Sequence, residues 1–306
     1  MTMIPDPLAH LIERAERVLL RLEQVLPPPP APIDFDQAIA FRWHRTPTGP
    51  GRLQPIRKVH EIHLSDLQGI DEQKAKLLAN TRQFLSKRPA NNVLLTGARG
   101  SGKSSIIKAL LNDYADKGLR LIEVDKGDLV DLPEIVALIE HRPERFVVFC
   151  DDLSFEAGDP SYKSLKVVLD GSLAAAPDNV LIYATSNRRH LMPEFFSENL
   201  DSKRVDGEVH PGEATEEKIS LSERFGLWLS FYPFDQDHYL AICAHWMREF
   251  GIKESTISEA EREALNWALA RGSRSGRVAW QFAKDYAGAH GAPKRRATSK
   301  RALAKK

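Results

Sequence analysis

The sequence predicts an α/β fold: a parallel five-stranded sheet sandwiched by helices, followed by a C-terminal all-helical lid. Two observations carry this expectation. From about Leu67 to Phe234, strand-like apolar runs alternate with helical periodicity, a pattern that builds a parallel sheet covered on both faces. After Pro233 the strand-like runs stop, and the pattern is helical through about Gly288, with Leu240, Cys243, Trp246, Met247 and Phe250 on one face. A chain of 306 residues, 42% hydrophobic and 28% charged, has room for one large or two modest domains of ordinary globular composition.

Taken in order, residues 1–26 hold an amphipathic helix, because Leu8, Leu11, Ala15, Val18, Leu22 and Val25 recur at spacings of three and four. It reads either as a helix packed on its own protein or as a short coiled-coil seam. Residues 27–64 form a Pro-rich linker, stiffened by "PPPPAP", and a mixed segment with Trp43 for which no element is predicted. His60 and His63 in "HEIH" lack the spacing of a metal-binding H-E-x-x-H pair and read as surface histidines. Residues 65–234 carry the α/β domain. Its strand-like runs are "NNVLLT", "RLIEV", "RFVVFC", "NVLIYAT" and "LWLSFY", with "DLPEIVALIEH" and "SYKSLKVVLDGSLA" as helices between them. Residues 235–290 form the lid, and residues 291–306 a basic tail.

Charge and cysteine usage narrow the classes. "PKRRATSKRALAKK" holds seven Lys or Arg and no acid; the whole chain is formally +1, which leaves −6 for the rest. The globular part is therefore not a basic nucleic-acid binder, whereas the tail is either a contact for nucleic acid and other anions or a plain solvated tail. Cys150 and Cys243 lie in apolar segments and read as buried reduced thiols. No apolar run has membrane-spanning length, and Asp6, Glu13 and Glu16 interrupt any leader-like core, so a cytoplasmic protein without membrane partners is expected.

The stretch "NNVLLTGARGSGKSS" is the most informative. Gly97, Gly102, Lys103 and Ser104 meet G-x-x-x-x-G-K-[ST], after a strand-like run and at the start of a helical one. Such a loop, here Gly97, Ala98, Arg99, Gly100, Ser101 and Gly102, turns backbone N–H groups onto a phosphate chain, and the following helix aims its positive end at the same anion. Lys103 would reach the β- and γ-phosphates, Ser104 would hold Mg²⁺ and Ser105 would complete the cradle. The competing reading is a glycine-rich turn, and the strand-like run before the loop and the helical run after it favour the phosphate cradle.

The remaining parts follow along the chain. Asp151 ends the buried run "RFVVFC", where ligands sit in open α/β sheets, and is the expected Mg²⁺ ligand. Asp152 would polarise the attacking water, although two adjacent acids also suit a helix cap. Asn187, at the tip of "VLIYATSN" with Ser186 as second choice, would hold that water; an Asn in a simple turn is the alternative. Arg224 precedes the fifth strand and would reach a neighbour's γ-phosphate in trans, or else form a surface ion pair. In "RGSRSGRVAWQF", Arg277 is preferred over Arg274 as the lid residue that folds back onto the nucleotide.

P-loop, acid pair, polar strand tip, trans arginine and helical lid, in this order, resemble the AAA+ ATPases over residues 65–288. "LQGIDEQKAKLLANTRQFL" looks like the stretch whose Gly-Ile, here Gly69 and Ile70, lines the adenine pocket in that superfamily. "CDDLSFE" and "SERFGLWLSFYP" are closest to a bacterial AAA+ family known only as a domain of unknown function. The resemblance implies a Mg²⁺-dependent ATPase that hydrolyses ATP between subunits of a homo-oligomer to remodel a protein or protein–nucleic acid partner. An ATP-gated binding module with slow turnover is the alternative, and a small-molecule kinase ranks last. Three departures matter. Asp152 stands where most members have Glu, with Glu156, four residues on, as an assisting acid. "VDKGDLVDLPE" lacks the aromatic pore loop of processive unfoldases. Ser197 to Ser220 is a long charged insertion, read either as a partner-binding loop or as a solvated one.

Overall fold

A computed structural model describes residues 7–25, 33–45, 51–155, 160–170, 177–187, 203–205, 208–210 and 221–291. The chain divides into two compact units, Met1–Gln37 and Ala38–Lys306. The first contains α1 (Pro7–Val25), the predicted amphipathic helix, with an Arg17–Glu13 pair one turn apart at 2.9 Å.

The second unit is built on a sheet of seven strands: β1 (Ala40–His44), β2 (Arg52–Pro55), β3 (Val93–Gly97), β4 (Leu119–Glu123), β5 (Arg145–Cys150), β6 (Val180–Ser186) and, after a small separate hairpin β7 (Lys203–Val205) and β8 (Glu208–His210), β9 (Leu227–Phe231). Their order is β2-β1-β4-β5-β6-β3-β9, and only the β1–β2 pair is antiparallel. The five predicted strands are the parallel block β4-β5-β6-β3-β9. Ala40–His44 and Arg52–Pro55, for which no element is predicted, extend that block by two strands. In β1, Ala40, Phe41 and Trp43 are buried while Arg42 and His44 face out, a run too short for its alternation to be legible beside the flanking prolines. Tertiary partners settle it: Trp43 donates its indole N–H to Asp131 at 3.0 Å, and Arg42 pairs with Glu123 across the β1–β4 ladder at 2.6 Å.

Helices α2 (Asp71–Leu85), α3 (Lys103–Tyr114), α4 (Leu132–Ile139) and α5 (Pro160–Asp170) cover the sheet. Val93, Leu94 and Leu95 of β3 are fully buried, as an interior strand of a sheet packed on both faces requires. Ile106, Ile107, Leu110 and Leu111 of α3 lie in the same core cluster as Leu77 and Phe84 of α2. The segment "VDKGDLVDLPE" contains a short 3₁₀ helix, Lys126–Asp131, whose Leu129 is buried. The six parallel strands, β1 among them, present their carboxyl ends at one edge, which gathers the residues of the site.

The C-terminal region, expected as a lid, consists of α6 (Gln236–Glu249), α7 (Glu254–Glu259), α8 (Glu261–Ala270) and α9 (Gly276–Ala289). Tyr239, Met247, Ala279, Phe282 and Ala283 form its core. Asp235 caps α6 by accepting from His238 N at 2.8 Å, and Ser275 caps α9 by accepting from Val278 N at 3.3 Å. Cys150 and Cys243 are free and buried, and burial pushes both thiols up to about 12. Among the described residues no helix is long and apolar enough to cross a membrane. The linker at 26–32, Glu156, the basic tail and, apart from β7 and β8, the charged insertion lie outside the described residues.

Candidate functional site

Where β3 ends, the chain turns through Gly97, Gly100 and Gly102 with φ of +129°, +75° and +102°, and α3 begins at Lys103. The close approach at Gly97 excludes any side chain, since a Cβ there would lie 1.8 Å from the Phe231 carbonyl oxygen of β9. The loop is pinned by Ala98 N donating to that carbonyl at 3.3 Å and by Ser101 Oγ donating to Ala98 O at 2.8 Å. Backbone of this shape, feeding a helix N-terminus, makes an anion cradle.

Lys103 is only 6% exposed. Its Nζ donates to Gly97 O and Ala98 O, both at 2.8 Å, and to Asn187 Oδ1 at 3.0 Å. Burial holds its pKa below the ordinary 10.5; the carboxylates of Asp151 and Asp152 oppose that shift, and Arg277 and Arg99 reinforce it. The two acids follow β5 directly. Asp151 Oδ1 accepts from Ser104 Oγ at 2.6 Å and from Thr185 Oγ1 at 2.5 Å. Asp152 Oδ1 accepts from Asn187 Nδ2 at 2.5 Å. Two hydrogen-bonded chains therefore link the loop to the strand tips: Ser104–Asp151–Thr185 and Lys103–Asn187–Asp152.

These groups line a cavity of about 780 Å³, within the range of nucleotide-sized sites. Gly100 to Ser105, Asp151, Asp152, Thr185, Asn187 and Arg277 contribute to its polar lining, and Ile70, Phe234, Ile242, Trp246 and Trp280 to its apolar lining. Of the residues the sequence singled out, Ile70, Arg99, Gly100, Ser101, Gly102, Lys103, Ser104, Ser105, Asp151, Asp152, Asn187 and Arg277 are thus brought together. Gly69 stands just behind, with φ +73° and a Cβ position 3.0 Å from His238 and 3.2 Å from Phe234. Gly97 and Ala98 lie below, as acceptors for Lys103. Ser186 is fully buried, so the strand tip offers Asn187 to the cavity. Arg274 lines a neighbouring groove with Arg99 rather than this cavity, which separates it from Arg277. Arg224 is absent from the lining, and its guanidinium pairs with the Asp170 carboxylate.

Sequence reasoning missed how the wall before the P-loop is held. Asn112 of α3 donates to His60 O and Ile62 O at 2.8 Å each. Asp113 accepts from Leu64 N at 3.0 Å and meets His63 Nδ1 at 2.6 Å. His63 is therefore an anchored, half-buried residue and not the surface histidine expected; His60 is exposed. Partners fifty residues apart leave no local signal.

A hydroxyl and a carboxylate are the hard oxygen donors that Mg²⁺ takes, usually one or two from protein with the rest from phosphate and water. Ser104 and Asp151, hydrogen-bonded to each other at 2.6 Å, fit that requirement. Among the described residues there is no cluster of three or more His, Cys, Asp or Glu able to hold a metal by itself.

Residues 36–290 match the family described as a protein of unknown function, DUF815. No curated protein matches the chain. Among solved structures, a variant of Thermotoga maritima RuvB is 16% identical, covering 78% of this chain and 69% of its own, with a TM-score of 0.49. A structure of the E. coli MS115-1 HORMA:CdnC:Trip13 complex contains a chain 11% identical, with coverage of 72% and 90% and a TM-score of 0.44.

Proposed function

The chain belongs to DUF815, a family of unknown function, so its task has to be read from its own site, and we propose that this site binds and hydrolyses Mg²⁺-ATP. The observation that supports this reading is the pair of hydrogen-bonded chains joining a glycine-rich phosphate cradle to two strand-end acids. The loop backbone from Ala98 to Gly102 and the Lys103 ammonium receive the phosphate chain. Ser104 and Asp151 hold Mg²⁺, which when bound neutralises charge on the β- and γ-phosphates. Asp152 takes the proton of the attacking water while Asn187 orients it. The apolar lining, with Ile70 beside Gly69, takes the adenine. Arg277, carried on the first turn of α9, couples lid angle to the γ-phosphate.

Arg224 acts in trans on a neighbouring subunit after leaving Asp170, so the complete active site belongs to a cytoplasmic homo-oligomer. Hydrolysis there serves to remodel a protein or protein–nucleic acid partner, with the basic tail as an adaptor for nucleic acid. A second reading is favoured by Asp152 itself. One methylene shorter than the usual Glu and already bonded to Asn187, it suits a slow base, and hence an ATP-gated binding module.

ATP hydrolysis per protomer, measured over a wide range of protein concentration for wild type and Arg224→Ala, separates the two. Wild-type activity that climbs with concentration while the variant stays flat supports shared active sites. Tight ATP binding with flat, near-zero turnover in both favours the gated module, and no ATP binding refutes both.

A further inference from the structure

We infer that Thr185 is the positioning residue of this site, a single hydroxyl that sets both acids at once; the inference rests on the Mg²⁺-ATP reading. Thr185 stands one residue before the end of β6, opposite Leu95 of β3, and is 1% exposed. A threonine hydroxyl has one proton to give and lone pairs to receive with. Here the proton goes to Asp151 Oδ1 at 2.5 Å, and Asp152 N donates to the same hydroxyl oxygen at 2.9 Å. The Thr185 carbonyl also accepts from Leu153 N at 2.6 Å. One residue thereby holds three consecutive residues of the acid segment.

The consequences for the two acids differ. Asp151 Oδ1 is fixed between Ser104 and Thr185, while Oδ2 takes no hydrogen bond from a described residue. The carboxylate is thus oriented by one oxygen and presents the other. Asp152 has φ +51°, a left-handed conformation that residues other than glycine adopt reluctantly. Its N–H bond to Thr185 holds it there, and from there its carboxylate reaches Asn187. At 1% exposure the Thr185 hydroxyl is out of reach of solvent, where an unbonded hydroxyl would be costly. The hydroxyl stands where the strand meets the acids.

Thr185→Val keeps the shape and removes the hydroxyl; Thr185→Ser keeps the hydroxyl and removes the methyl. ATP affinity is measured by calorimetry with Mg²⁺ and with EDTA, beside turnover and melting temperature. Loss of such an orienting partner typically lowers metal affinity or activity by about 10- to 100-fold. In Thr185→Val we expect that loss in turnover and in the Mg²⁺-dependent gain of ATP affinity, with affinity in EDTA unchanged, and restoration by Thr185→Ser. Wild-type Mg²⁺ dependence and turnover in the valine variant overturn the inference. So does an equal loss in both variants, or a loss of affinity in EDTA of the same size, since either marks a packing role. Should the valine variant not fold, Thr185→Ala takes its place. If wild type binds Mg²⁺-ATP without hydrolysing it, the ATPase reading fails but the Mg²⁺-linked affinities still decide on Thr185. If wild type shows no Mg²⁺-linked affinity, both fall.

Discussion

Gly100 is where the glycine-rich loop touches the start of α9, and replacing it by alanine tests that contact in energy. Two costs add. The residue has φ +75°, and an L-side chain in the left-handed region costs about 1–2 kcal/mol. The new Cβ would also sit 2.8 Å from Ser275 Oγ, 2.9 Å from Ser275 Cβ and 3.3 Å from Arg277 Cβ. Ser275 is the cap of α9, and losing such a cap costs about 1 kcal/mol. Gly100→Ala should therefore destabilise the protein by about 2–3 kcal/mol. At roughly 2–4 °C per kcal/mol for a domain of some 150–250 residues, the melting temperature falls by about 4–12 °C. Two controls divide the sum. Gly118 has φ +89° with nothing within 4 Å of its Cβ position, so Gly118→Ala carries only the backbone cost. Gly288 lies in α9 with open space around it, and Gly288→Ala should stabilise by about 0.5–1 kcal/mol. Urea unfolding of the three variants gives the differences. If Gly100→Ala and Gly118→Ala lose the same stability, the loop does not bear on the Ser275 cap and the coupling of α9 to the glycine-rich loop is refuted.

Two further outcomes are expected. Asp152→Asn should bind ATP with wild-type affinity while turnover falls by about 10²- to 10⁴-fold, as for loss of a general base; normal turnover in a single-cycle assay would move the role elsewhere. The depressed pKa of Lys103 makes stability depend on pH with a definite sign. Well below its folded pKa the lysine is charged in both states, and the folded state carries the burial penalty. Between the folded pKa and 10.5 the unfolded chain binds more protons, so stability rises with pH in that window. The stability of wild type relative to Lys103→Met should accordingly improve as pH climbs toward 10.5; a difference that is flat with pH refutes a buried, charged Lys103.

Much of the site was legible because its chemistry is local. The glycines, lysine and serine of the loop act within a single short stretch, Gly97 to Ser104, and the apolar run before Asp151 announces its own strand. The five parallel strands were legible for the same reason, since each is an apolar run several residues long and bounded by turns. What the sequence determined by itself was therefore the kind of fold, the glycine-rich loop between strand and helix, and the place of the two acids at a strand end.

The tertiary structure decided everything that depends on partners distant in the chain. It made a strand of Ala40–His44, by setting Trp43 against Asp131 and Arg42 against Glu123, eighty-odd residues away. It separated Arg277 from Arg274, since Arg277, on the first turn of α9, lines the nucleotide-sized cavity while Arg274, in the loop before the Ser275 cap, lines the neighbouring groove. It put Arg224 on Asp170, and it gave Thr185 a role no spacing rule could assign. A hydrogen bond between residues 151 and 185 leaves no period in the sequence. Only the parallel pairing of β5 with β6 brings the two together, and that pairing is stabilised by the whole buried sheet rather than by either segment.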